Sequence, residues 1–197
     1  MLNRFRRNIE KYINTIALTL AKTGVKPWSI SLTGLIIIIL ASIWLVYGPA
    51  PNPLAISILL FILGNLMDAL DGPLARATNQ VTRWGSYIDS MIDRLGEAIF
   101  ILALGYTGIF RWDLAYIYIA TSILISYSRS KGESVGVDMA GVGLMERAER
   151  IIGISAIIIL YMLIGLDTLL PLTIIITLNI LTIFQRSIHI YGSLRRN

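Results

Sequence analysis

Residues 28–47 read WSISLTGLIIIILASIWLVY, a run without one charged side chain. At about 1.5 Å of rise per residue, a helix of that length crosses the roughly 30 Å hydrocarbon core of a bilayer. Backbone groups inside lipid have no water to bond, so a single segment of this kind has to be helical. Five further stretches of comparable length follow, at 54–76, 84–105, 112–127, 144–164 and 169–189, divided by polar or glycine- and proline-bearing links. With 55% hydrophobic and 15% charged residues among 197, little chain is left for anything but membrane helices. The pattern predicts an all-α integral membrane protein, one domain over 1–197 whose six transmembrane helices occupy 28–190.

Ahead of them, 1–24 carry Phe5, Ile9, Tyr12, Ile13, Ile16 and Leu20 at helical spacing, with Arg6, Arg7, Glu10 and Lys11 opposite. That predicts an amphipathic helix lying in the membrane interface, not the short apolar core of a cleavable signal peptide. Gly24 to Pro27 break it, and Ser29 or Ser31 is placed to cap the next helix. With six crossings both termini share one side. That side receives nearly every Lys and Arg, Arg111 being the exception, which the positive-inside rule makes cytoplasmic. The net charge of +5 then reflects anchoring and contact with anionic lipid or phosphate, not nucleic acid.

Against this apolar background stands the stretch DALDGPLARATNQVTRWGSYIDSMID, from Asp68 to Asp93. Ionisable groups at such depth are costly and mark function by default. Asp68 and Asp71 are three apart and Asp89 and Asp93 four apart, so each pair shares a helix face. The polar link over 77–83 lets the chain turn back and bring the faces together, and Pro73 kinks or opens its helix beside the acids. Four converging carboxylates repel unless a cation sits among them. Hard divalent ions with oxygen ligands answer that need, and Mg²⁺ commonly joins carboxylates to phosphates. The absence of cysteine excludes thiolate chemistry and disulfides, and the lone His189 leaves no histidine metal cluster. A cation transporter also sets acids inside spans, and a structural reading pairs them with Arg76, Arg83 or Arg94. Because all four acids lie toward one membrane end, metal-assisted phosphoryl chemistry ranks first, transport second and structural packing third.

Asp68, Asp71, Gly72, Ala75, Arg76, Gly85, Asp89 and Asp93 reproduce a signature: D, two residues, DG, two residues, AR, eight residues, G, three residues, D, three residues, D. In this the chain resembles the CDP-alcohol phosphotransferase family along nearly its whole length. The resemblance implies an interfacial helix, six spans, a cytoplasmic active site, a homodimer, and transfer of a phosphatidyl-type group from a CDP-linked lipid to an alcohol with release of CMP. It assigns Asp68, Asp71, Asp89 and Asp93 to a site for two divalent ions, Mg²⁺ or Mn²⁺, with Asp93 also the general base on the acceptor hydroxyl. Gly72, Ala75 and Arg76 correspond to the part that receives the CDP moiety, and Thr33 to a position in the first span near the nucleotide.

The acceptor is read from a basic set. Ser126, Arg129 and Lys131 lie in SYSRSKGE, and Arg147 and Arg150 in GLMERAER. A solvated positive-inside border accounts for any one of these; together they suit an anion pocket beside the acids, since arginine forks match phosphate oxygens. The set resembles the branch of the family whose acceptor is 1L-myo-inositol 1-phosphate and whose product is a phosphatidylinositol phosphate or archaetidylinositol phosphate. Ser130 and Gly132 stand where that branch often has alanine. CDP-archaeol and CDP-diacylglycerol are both open as donors, as are CDP-inositol for a soluble product and glycerol 3-phosphate as a different acceptor.

Overall fold

The computed structural model describes residues 15–49 and 52–195. Most of the interfacial helix expected over 1–24 lies outside them; residues 15–21 are helical (α1). Six long helices follow: α2 (Pro27–Tyr47), α3 (Pro53–Ala77), α4 (Arg83–Tyr106), α5 (Trp112–Ser134), α6 (Arg147–Ile164) and α7 (Leu169–Leu194). Three of these, α2, α3 and α7, are long and apolar enough to cross a membrane. Charged residues such as Asp89, Asp93, Arg94 and Glu97 in α4, Arg129, Lys131 and Glu133 in α5, and Arg147, Glu149 and Arg150 in α6 lower the apolarity of the others. Outward faces are apolar where a soluble protein is polar: Leu40 and Ile43 on α2 and Leu59 and Leu66 on α3 are exposed.

The chain forms two compact units, Met1–Phe100 and Ile101–Asn197. In the first, α2 and α3 cross at two glycines. A Cβ at Gly34 would meet the Gly64 carbonyl oxygen at 2.7 Å, and one at Gly64 would meet that of Gly34 at 2.8 Å, so only glycine permits this approach. Ile38 fills the space beside Gly64 and also reaches Gly96 of α4, while Phe61 stacks on Phe100 at 4.0 Å. Ala17, Ile30 and Leu74 form a second small core that fastens α1 to α2 and α3. No serine caps α2: Lys26 is the N-cap, and Ser29 and Ser31 lie inside the helix. Pro27 explains the earlier start, since its fixed φ suits the first helical turn and it has no N–H to satisfy. Pro73 sits within a continuous α3.

In the second unit α5 and α6 pack on α7. Asn179, fully buried, donates to Thr121 Oγ1 at 3.2 Å. Thr168 at the head of α7 donates to the Ile109 carbonyl at 2.6 Å. The helix α5 outlasts the expected span by seven residues, to Ser134 rather than 127. An Arg129–Glu133 ion pair of 2.9 Å, one helical turn apart, supports that extension. Met139, fully buried, packs on Gly132, where a Cβ would come within 2.7 Å of its sulfur. The loop then returns to α6, which starts at Arg147.

Candidate active site

Asp68 and Asp71 stand near the end of α3, and Asp89 and Asp93 in the first half of α4. The link between the helices turns at Asn79, whose φ of +53° is left-handed, a conformation asparagine tolerates. One carboxylate oxygen from each of Asp68, Asp71 and Asp89 can be chosen so that all lie within 4.8 Å of one another. Asp68 is buried at 5% exposure, and the other two are half-buried. Asp71 is within hydrogen-bonding reach of Asp89 and of the Gly72 amide, and its Oδ2 accepts from the Ser31 hydroxyl at 2.5 Å. Carboxylates brought this close need a proton or a cation between them. Three hard oxygen donors, with neither sulfur nor imidazole among them, fit Mg²⁺ or Mn²⁺.

Asp93 lies one turn beyond Asp89 on α4 and is not part of that trio. Its side chain is 12% exposed, and Arg94 Nη1 is 3.9 Å from Oδ2. The neighbouring guanidinium also donates to the Ser90 carbonyl.

Asp71 and Asp89 open onto a cavity of about 840 Å³, also lined by Gly72, Ala75, Arg76, Lys26, Ser31 and the 79–82 link. Small residues face the space and cations border it, an arrangement suited to a large phosphorylated ligand. Thr33 is not at this wall. It is exposed and returns its hydroxyl to the Ser29 carbonyl at 2.7 Å, while Ser31, two residues earlier, faces the acids. Trp28, Trp84 and Gly85 belong both to this cavity and to a second one of about 230 Å³, otherwise lined by Leu32, Ile88 and Ile92. A cavity with carboxylates and cations on its wall thus shares residues with an apolar recess.

The second unit holds the predicted basic set. Ser126 donates to the Ser122 carbonyl at 3.2 Å; Arg129 forms an exposed pair with Glu133, and Lys131 is exposed. Arg147 and Arg150 occupy the first turn of α6, with Arg150 buried at 2% exposure and donating to the Met145 carbonyl at 3.4 Å. To these the structure adds Arg186 of α7, overlooked in the sequence as part of the last span. It is 2% exposed, donates to the carbonyls of Val142 at 2.9 Å and Ile125 at 2.5 Å, and interacts electrostatically with Arg129, Arg150, Glu133 and Glu146. An arginine eight residues inside the end of an apolar helix was the signal available.

Residues 25–184 match the family model described as CDP-alcohol phosphatidyltransferase. The archaetidylinositol phosphate synthase of Pyrococcus horikoshii is 36% identical over 152 residues, covering 77% of this chain and 79% of the relative. The phosphatidylinositol phosphate synthase of Streptomyces avermitilis is 33% identical over 161 residues, covering 77% of this chain and 64% of the relative. Among solved structures, Mycobacterium tuberculosis phosphatidylinositol phosphate synthase with CDP-DAG bound shares the fold, with a TM-score of 0.76 at 21% identity over 92% of this chain and 94% of that one. The same enzyme has been crystallised with manganese and citrate, with a TM-score of 0.76 over 91% of this chain and 88% of that one. The carboxylate trio, its cavity and these likenesses lead to one conclusion: this chain belongs to the CDP-alcohol phosphatidyltransferase family and is a phosphotransferase of membrane phospholipid synthesis.

Proposed function

We propose that this enzyme transfers a phosphatidyl-type group from a CDP-linked lipid to 1L-myo-inositol 1-phosphate and releases CMP. The observation that carries the reading is the cavity with Asp71, Asp89 and Arg76 on its wall, joined at Trp28 and Trp84 to an apolar recess. A donor with a charged nucleotide and a hydrocarbon tail has both needs met there; a wholly soluble CDP-inositol has no use for the recess. The acceptor rests on the synthases named above and on the basic set of the second unit. Six helices crossing the membrane, with both termini and the acids on the cytoplasmic side, complete the reading.

Asp68, Asp71 and Asp89 hold the divalent metal in this reading, and Asp93 completes their set. Bound there, such an ion neutralises pyrophosphate charge and favours departure of CMP. Gly72 and Ala75 let the nucleotide approach the α3 backbone, and Arg76 contacts phosphate. Asp93 accepts the proton of the acceptor hydroxyl as its oxygen attacks the lipid-bearing phosphorus. Carboxylates are weak bases toward alcohols, so that transfer belongs to the transition state and not to a step before it. Arg147, Arg150 and Lys131 take the acceptor phosphate with Ser126 and Arg129, and Arg186 adds its charge to theirs.

The deciding assay is CMP release by purified protein with Mg²⁺ or Mn²⁺. CDP-archaeol, CDP-diacylglycerol and CDP-inositol are each offered against inositol 1-phosphate, glycerol 3-phosphate and free inositol. Turnover restricted to a lipid donor with inositol 1-phosphate is expected. Turnover with CDP-inositol alone removes the lipid from the reading, and turnover with glycerol 3-phosphate alone removes the inositol.

A further inference from the structure

The α2 helix contains Ser29, Ser31, Thr33 and Ser42. Ser29, Thr33 and Ser42 donate to carbonyls of their own helix at 2.7, 2.7 and 2.9 Å, the usual way to satisfy a hydroxyl in an apolar segment. Ser31 behaves differently. The nearest carbonyl of its own helix, that of Pro27, is 3.4 Å away, while Asp71 Oδ2 on α3 is at 2.5 Å. Ser31 is only 3% exposed, so this contact has little competition from solvent. The backbone contact of Gly34 with Gly64, one turn further along α2, keeps the helices close enough for so short a side chain to reach across.

We infer that Ser31 is a positioning residue for the metal site, holding the Asp71 carboxylate in the rotation that directs its remaining lone pairs toward Asp68 and Asp89. A carboxylate turns about its Cβ–Cγ bond with a broad, shallow preference. A charge-assisted hydrogen bond to one oxygen removes that freedom before any ion arrives. Outer partners of this kind orient metal ligands, and losing one typically lowers metal affinity by about 10–100-fold. The inference rests on the metal reading given above and adds to it a residue that acts through the Asp71 carboxylate.

The test is Mn²⁺ binding to the purified full-length protein, followed by electron paramagnetic resonance without donor or acceptor, beside the metal dependence of CMP release. Ser31→Ala is expected to weaken Mn²⁺ binding by about 10-fold and to recover most of its turnover at saturating metal. Ser31→Thr and Ser31→Val have nearly the same shape and differ in the hydroxyl. Thr should bind Mn²⁺ like the unaltered protein and Val like Ala, and this pair decides the matter if the Ala protein does not fold. Equal Mn²⁺ affinity in Thr and Val overturns the role of Ser31, as does an altered donor KM with unaltered metal affinity. Failure of the unaltered protein to bind Mn²⁺, even with donor present, overturns the metal reading itself.

Discussion

The acids of the first unit and the cations of the second are both polar clusters in apolar surroundings, yet they are held in opposite ways. Asp68, Asp71 and Asp89 gather beside groups of their own sign, with a serine hydroxyl and a backbone amide on Asp71. Arg150 and Arg186 instead donate to carbonyls of the chain itself, and Arg129 is paired with Glu133. In the proposed reading a bound divalent ion supplies charge to the acidic cluster, whereas the basic one is set by how its loop folds. One should be sensitive to loss of charge at constant shape, and the other to changes of backbone that leave charge alone.

The largest effect should come from Asp89→Asn, which keeps the shape and removes one charge of the trio: Mn²⁺ binding is lost and CMP release falls below detection. Asp93→Asn separates the roles within the acids. It should lower turnover by about 10²–10⁴-fold, the range of general base catalysis, while donor binding, read by CDP-lipid titration, changes little. Undiminished turnover in this variant would remove Asp93 as the base. On the basic side, Arg147→Ala and Arg150→Ala should each raise the half-saturating inositol 1-phosphate by about 10–100-fold, the cost of one charged hydrogen bond, with the donor requirement steady. An unchanged acceptor dependence would make them border residues.

Gly143→Ala tests the loop without touching charge. Gly143 has φ of +113°, and its added Cβ would fall 2.5 Å from Thr182 Cγ2. Strain and crowding should cost about 1–3 kcal/mol, seen as a lower Tm, together with a raised half-saturating inositol 1-phosphate, since the loop sets the arginines. The smallest effect belongs to Trp84→Ala, which should shift the preference among donors of different chain length by only a few-fold, about the value of one or two methylene groups.

Much of this was legible in the sequence, for reasons that also mark where reading stopped. The acids were accessible because spacings of three and four fix a helix face, and a polar link between two apolar runs implies a return. The ends of α2, α3 and α4 fell within a residue of expectation, since proline and polar clusters punctuate them. The end of α5 did not: SRSKGES has no apolar period, and the Arg129–Glu133 pair and the packing of Met139 on Gly132 accompany its helical form. Ser31 and Thr33 illustrate a different limit. Two residues apart on a helix is about 200°, nearly opposite faces, and only packing against α3 decides which faces the acids. Arg186 was hidden because the sequence does not show that carbonyls of Val142 and Ile125 would converge on it.

The glycine crossing of α2 and α3 has a mechanical meaning. Two backbones in direct contact have no side chain between them to change rotamer, so the joint is stiff where an ordinary helix pair is compliant. Thickening or thinning of the surrounding bilayer is then expected to tilt α2 and α3 together. The spacing of the carboxylates on α3 from the serine on α2 should hold as the lipid changes. An enzyme that makes the membrane it sits in would thereby keep its geometry independent of its own product.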